Sequence, residues 1–184
     1  FLPHLRAAGH VVALLARGGA YARNRADGTP VFPVVADRHG NNIVREHARR
    51  FGADVVLTLI DPHVLAASVY AELPWLAWAP LDFETPTRAT IQVLRAARWV
   101  WSPSKHGAAA YKAAGIAASH VPHGVDSKVF ALMDRGDARD LFGASIGCEI
   151  PAGSFLAVAV AAAIVLWVVI HVDLPVGLLQ ENPA

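Results

Sequence analysis

The sequence predicts an α/β protein with a doubly wound, parallel β-sheet. Two continuous apolar runs, at Val11–Ala16 and at residues 54–60, have the two-sided apolarity of parallel strands that are covered on both faces. Segments of helical character alternate with these and further short apolar runs, as in βαβ units with right-handed crossovers. Of the 184 residues 54% are hydrophobic and 17% are charged, which is enough apolar material for one core of ordinary size. The predicted fold is therefore a Rossmann-like sheet with helices on both faces.

Local signals place the other predicted elements in order along the chain. Residues 1–6 have helical character, and Pro33, which lacks a backbone N–H, places a strand at residues 31–35 on an edge of the sheet. The remaining elements are a helix at 40–51, the strand at 54–60, a helix at 63–73, a strand at 74–79, a helix at 88–97 and a strand at 99–101. Strands and helices thus alternate as a doubly wound sheet requires.

The helix predicted at residues 104–114 has the clearest boundaries. Ser102 supplies a capping hydroxyl, Pro103 suits the first helical position, and Gly115 supplies the C-terminal stop. Ligands of parallel sheets bind beyond the carboxyl ends of the strands. We therefore expect any functional site in the loops that follow the strands.

The composition excludes several classes of function. Sixteen Lys and Arg residues against 15 Asp and Glu give a net charge of +1, which is too balanced for a nucleic-acid partner. The single cysteine, Cys148, excludes an internal disulfide framework and favours a cytoplasmic location. His120 and His123 have no further metal ligands near them in sequence, and P-loop, Gly-x-Gly-x-x-Gly and Gly-x-Ser-x-Gly motifs are missing. We therefore predict neither a metal nor a cofactor.

The last part of the chain is more apolar than the rest. Residues 151–170 contain no charged side chain, and a run of this length would just span a bilayer as a helix. Its many β-branched residues and the lack of flanking basic or aromatic clusters favour a strand over a membrane span. If the run is a stray strand, a chain shortened to residues 1–148 is expected to behave better in solution.

One series of motifs carries a family resemblance. It consists of Ser102-Pro103-Ser104-Lys105, then Ala114-Gly115-Ile116, and then residues 121–130 with the turn Pro122-His123-Gly124-Val125-Asp126. The order and spacing resemble the hallmark of retaining family-four glycosyltransferases: a serine-capped helix, a Gly-Ile break, a short strand and a Pro-His-Gly-Val-Asp turn. Residues 9–12 and 135–143 resemble further parts of that family, so the resemblance runs from residue 5 to residue 162.

The resemblance implies a GT-B architecture, in which two Rossmann-like domains face each other across a cleft. The N-terminal domain of such an enzyme holds the acceptor, and the C-terminal domain holds the nucleotide-sugar donor. Residues 1–148 then correspond to a partial acceptor-side domain that lacks its first strand. Residues 155–162 resemble the first donor-domain strand, but residues 164–184 lack the basic Arg-Lys-Gly segment that would follow. Residues 149–184 are therefore expected to be an apolar tail that starts the donor domain and continues as aberrant sequence.

The implied activity is transfer of a hexosyl group from a nucleotide-diphosphate sugar to a sugar or polyol acceptor, with retention. Most donor contacts are expected to lie outside this chain, so the chain alone is expected to be inactive, and its catalytic residues stay unassigned. The alternative is a non-catalytic Rossmann-like binding domain, tethered to a membrane by residues 151–170.

The candidate acceptor contacts follow two predicted strands. Asp61 and His63 come after the strand at 54–60, and Asp82 and Glu84 come after the strand at 74–79. Carboxylates and an imidazole at these places can hydrogen-bond the hydroxyls of a sugar or polyol. Two other interpretations stay open: Asp61 caps the next helix, and Asp82 and Glu84 only solvate a loop.

The turn at residues 122–126 is expected to face the interdomain cleft. Gly124 is expected at positive φ, Asp126 is expected to cap backbone amides, and His123 either faces the cleft or only stabilises the turn. Four tryptophans of the predicted strands could stack on a sugar, but aromatics in buried strands usually belong to the core. We expect the core position for Trp75, Trp78, Trp99 and Trp101.

Overall fold

A computed structural model describes residues 1–16, 23–128, 131–151 and 166–171 of the chain. The strands in these ranges form one sheet with the order β2-β3-β1-β8-β4-β5-β6-β7. Their bounds are β1 Val11–Ala16, β2 Arg23–Asn24, β3 Pro30–Pro33, β4 Val55–Leu59, β5 Trp75–Trp78, β6 Trp99–Ser102, β7 Ala118–His120 and β8 Leu166–His171. The described helices are α1 Leu2–Ala7, α2 Val44–Phe51, a 3₁₀ helix at Pro62–Val64, α3 Ala67–Tyr70, α4 Arg88–Leu94, α5 Lys105–Ala113 and α6 Arg135–Ile146.

Four of the seven strand pairings among the described residues are parallel, which confirms the predicted α/β class. β1 pairs with β3, and β4, β5, β6 and β7 pair in sequence, all in parallel. β3, the strand that contains Pro33, is the second strand from the edge of the sheet and not the edge strand, because β2 pairs with Pro30 and Val31 on the outer side of β3. β2 pairs only with Pro30 and Val31, so no described strand on the outer side of β3 requires a backbone N–H from Pro33.

The core lies on both faces of the sheet, as the two-sided apolar strands predict. Tyr70, Trp75 and Tyr111 are fully buried on one face, and Trp78 and Trp99 are buried on the other. The indole N–H of Trp75 donates to Thr58 Oγ1 at 2.9 Å, so its burial leaves no polar atom unpaired. The expectation that the tryptophans belong to the core is confirmed for Trp75, Trp78 and Trp99, and Trp101 is half-buried.

Two helices and one helix cap differ clearly from the sequence-based expectation, and α4 ends at Leu94 instead of residue 97. The helix expected from residue 40 begins at Val44, because Gly40 has a φ of 72° and the chain turns there. The helix expected at 63–73 is divided into the 3₁₀ helix and α3, since the Asn41 side chain accepts from Ala66 N at 2.8 Å at the break. The cap of α5 is Ser104 and not Ser102: its hydroxyl accepts from Gly107 N at 2.9 Å.

β8 lies in the middle of the sheet, between β1 and β4, and runs antiparallel to both. Residues 166–170 of the run considered as a membrane span are therefore a strand. None of the helices in the described ranges is long and apolar enough to cross a bilayer. The strand expected at residues 155–162 lies outside the described residues.

The chain divides into two compact units. The first contains residues 1–123 and β8, and the second lies within residues 124–163, so these boundaries differ from the expected one after residue 148. Within the second unit, Asp134 caps α6 by accepting from Gly136 N at 2.7 Å, and Arg139 is buried with its guanidinium donating to Pro151 O at 3.0 Å. α6 covers residues 135–143, which carry part of the family resemblance, and extends to Ile146.

Candidate functional site

The loop after β4 carries Asp61 and His63, and both side chains are exposed. Asp61 is the residue before the 3₁₀ helix, but its carboxylate makes no capping hydrogen bond. The interpretation of Asp61 as a helix cap is therefore wrong. The carboxylate is open to solvent at the carboxyl end of β4, where a ligand of a parallel sheet would bind.

Tyr111 of α5 links this loop to the next one. Its side chain is fully buried, and its hydroxyl donates to Pro80 O at 2.9 Å, directly after β5. Burial raises the pKa of the Tyr111 phenol, and the negative charges of Asp61 and Asp82 raise it further. The charges of both carboxylates thus act on one hydroxyl, although the two residues are 21 positions apart in the sequence. The phenol keeps its proton and holds the end of β5 in place.

The loop after β5 carries Asp82, Phe83 and Glu84, which are all exposed. His106, in the first turn of α5, lies 3.1 Å from Phe83 O through its Nε2. Since a carbonyl oxygen only accepts, Nε2 carries the proton and donates it. This bond fixes the main chain between the two candidate carboxylates against the start of α5.

Sequence reasoning did not find Tyr111 or His106. An aromatic residue within a helix looks like ordinary core, and only the hydroxyl of Tyr111 separates it from phenylalanine. The signal for His106 was weak but present: the first turn of a helix that follows a parallel strand lies beside the loops of the neighbouring strands.

His123 follows β7 and packs edge-to-face on Trp78, with ring centroids 4.9 Å apart. Trp78 in turn donates from its indole N–H to Val121 O at 2.9 Å, so the indole supports the chain that leads to His123. The imidazole is exposed on its other side. This contact fits the interpretation of His123 as a turn-stabilising residue, and it leaves a ring edge free for solvent.

Gly124 does not have the expected backbone conformation. The glycines with positive φ in the described residues include Gly115, at 79°, but Gly124 is not one of them. The expectation is wrong because a turn can form with several combinations of backbone dihedral angles, and only some of these require glycine. Asp126 does cap the turn, as expected, by accepting from Lys128 N at 2.9 Å.

The corrected geometry predicts opposite outcomes for two glycine substitutions. A Cβ added at Gly124 or at Gly115 would meet nothing within 4 Å, so only backbone conformation distinguishes the two sites. We expect Gly115→Ala to destabilise the protein by about 1 kcal/mol, because alanine is strained at positive φ. Gly124→Ala is expected to be neutral or slightly stabilising. Denaturant titration of both variants measures the difference, and equal losses would contradict the assignment.

Asp61 and His63 thus lie on the loop after β4, Asp82 and Glu84 lie on the loop after the neighbouring strand β5, and all four side chains are exposed. Gly124 and Asp126 belong to the second unit. Within the described residues, no three His, Cys, Asp or Glu side chains are grouped so as to hold a metal ion.

Comparison with protein-family models, with curated proteins and with solved structures finds no match to this chain.

Proposed function

We propose that this chain is the acceptor-side part of a retaining glycosyltransferase and that its carboxyl edge binds a sugar or polyol acceptor. The observation that carries the proposal is that the exposed carboxylates of Asp61 and Asp82 lie on the loops that follow the neighbouring parallel strands β4 and β5. Both carboxylates are exposed, and ionised carboxylates accept hydrogen bonds from the hydroxyls of a polyol.

The charge of this edge favours an acceptor over a nucleotide diphosphate. Asp61, Asp82 and Glu84 are acidic, and a diphosphate placed among them would be repelled. Enzymes that transfer from nucleotide sugars stabilise the departing diphosphate with cations and helix N-termini. We therefore assign donor binding to another part of the complete enzyme, and we propose that this chain alone does not turn over nucleotide sugars.

The layout of the motif residues also supports the proposal. Ser104 caps α5, Gly115 ends it at positive φ, and β7 leads to the turn with Asp126. These elements follow in the order that the family resemblance implies. The proposed Rossmann-like half of a GT-B fold rests on this order and on the parallel strands β4 to β7.

Acceptor binding is testable by titrating the ¹⁵N-labelled chain with methyl α-D-glucopyranoside, methyl α-D-mannopyranoside and myo-inositol. We expect amide shifts in residues 61–63 and 82–84 with a Kd of about 1 mM for at least one probe, a value typical of a few hydrogen bonds. Asp61→Asn and Asp82→Asn are each expected to weaken binding about tenfold, since each removes a charge-assisted acceptor.

Glu72→Gln is the matched control. Glu72 is an exposed carboxylate before β5, at the opposite end of the strand, where it pairs with Arg45. Its loss is expected to leave the Kd unchanged. Binding that survives both Asp substitutions, or shifts confined to residues far from the two loops, would reject this edge as the acceptor site.

A further inference from the structure

One side chain joins the loop after β3, residues 34–43, to the loop after β4. Asn41 Nδ2 donates to Val64 O at 3.3 Å, and Asn41 Oδ1 accepts from Ala66 N at 2.8 Å. Because Val64 O can only accept and Ala66 N can only donate, one orientation of the amide satisfies both partners. The two partners lie 23 and 25 positions after Asn41 in the sequence. A single asparagine thus connects two loops at the carboxyl edge of the sheet.

The contact lies at the break between the 3₁₀ helix and α3. Val64 is the last residue of the 3₁₀ helix, and Ala66 is the residue before α3. Neither helix has a side-chain capping hydrogen bond at its N-terminus. Asn41 therefore supports, from outside, the short helix that contains His63 and that directly follows Asp61.

The main chain at Asn41 is itself held in place by its own loop. Asp37 accepts from His39 N at 2.8 Å and from Asn41 N at 3.1 Å. The bond from His39, and to a smaller extent those from Asn41, lower the pKa of the Asp37 carboxyl below its usual value, so it is ionised at neutral pH. Gly40 has a φ of 72°, and a Cβ there would approach Leu15 Cδ2 to 2.9 Å. The base of the Asn41 side chain is therefore fixed against the end of β1, so its two bonds cost little further ordering.

We propose that Asn41 is a positioning residue of the acceptor site, which holds the Asp61 carboxylate and the His63 imidazole where the hydroxyls of an acceptor meet them. This inference rests on the proposed function, since it assigns to Asn41 an effect on acceptor binding. Asn41 acts through the loop after β4 and not by touching the acceptor. Its amide suits this role because it combines a donor and an acceptor in one group, whereas a carboxylate of the same size lacks the donor.

The position of the loop is measured by NMR on ¹⁵N-labelled Asn41→Ala and Asn42→Ala chains. Asn42 is the matched control, because it belongs to the same loop but its Nδ2 donates to Val35 O at 2.7 Å, within that loop. We expect the Ala66 amide to exchange with solvent roughly tenfold faster in Asn41→Ala, as for the loss of one hydrogen bond. Amide shifts are expected to change in residues 61–66 and to stay unchanged in residues 82–84. Asn42→Ala is expected to leave both regions as they are in the unsubstituted chain.

Acceptor titrations of the same chains separate positioning from stability. They use the two methyl glycosides and myo-inositol, at a temperature at which every chain is folded. Asn41→Ala is expected to raise the Kd about fivefold, an effect comparable with one hydrogen bond, and Asn42→Ala is expected to leave it unchanged. Asn41→Asp keeps the acceptor for Ala66 N but places an oxygen against Val64 O, so it is expected to raise the Kd as well.

The outcomes distinguish this inference from the proposed function. If the unsubstituted chain binds a probe at residues 61–63 and 82–84 and Asn41→Ala binds it equally well, the acceptor site stands and Asn41 only stabilises the fold. An equal rise of the Kd in Asn41→Ala and Asn42→Ala would also overturn the role of Asn41. If the unsubstituted chain binds none of the probes, the acceptor site itself is rejected, and the positioning role is rejected with it.

Discussion

A chain shortened to residues 1–148 is expected to lose its cooperative thermal transition, because the deletion removes β8 from the middle of the sheet. β8 pairs with five residues of β1 on one side and five of β4 on the other. A buried backbone hydrogen bond contributes about 0.5–1.5 kcal/mol, and a small domain is stabilised by about 5–15 kcal/mol in total. Loss of both ladders is therefore comparable to the whole stability. This expectation reverses the one that follows from treating the tail as a stray strand.

The matched control is a chain that ends after His171 and so keeps β8. Circular dichroism and differential scanning calorimetry of the two chains give the comparison. We expect a cooperative transition for the longer chain, and a broad transition with soluble aggregates for the shorter one, since two strand edges are then exposed. A shorter chain that melts at the same temperature as the longer one would show that β8 does not hold the sheet together.

The parallel part of the fold was predictable because its signals are local. A continuous apolar run such as Val55–Leu59 and a capped helix such as α5 each reveal their type within about ten residues. The place of β8 was not predictable in this way. Its apolar run was consistent with a strand or a buried helix, and no local pattern specifies that a distant segment enters between β1 and β4 in the antiparallel direction.

The same distinction between local signals and long-range packing applies to the candidate site. Asp61 and Asp82 could be predicted to lie at one edge because the carboxyl ends of neighbouring parallel strands meet there, a property of topology alone. Tyr111, which both carboxylates influence, was missed because its role depends on packing across the sheet. Gly124 was misjudged because glycine in a turn is compatible with a negative φ as well as a positive one.

Ser102 and Gly107 show a conflict between helix propensity and packing. Ser102 is fully buried at the end of β6, and within the described residues its hydroxyl has no hydrogen-bond partner. It lies under the first turn of α5, where a Cβ added to Gly107 would collide with the Ser102 hydroxyl and approach Ser104 Oγ to 3.1 Å. Propensity alone predicts that Gly107→Ala stabilises the helix by about 0.5–1 kcal/mol.

We expect the collision to outweigh propensity, so that Gly107→Ala destabilises the protein by about 1–3 kcal/mol, the usual cost of overpacking. Ser102→Ala is expected to be neutral or stabilising, because it removes a buried hydroxyl that has no partner. The double variant then has room for the new methyl group and is expected to recover most of the loss. Urea unfolding of the four proteins gives the coupling energy between the two sites. A higher free energy of unfolding for Gly107→Ala alone would show that the Ser102 side chain moves aside at little cost. If Gly107→Ala has the same effect with and without the Ser102→Ala substitution, the two residues do not compete for the same space.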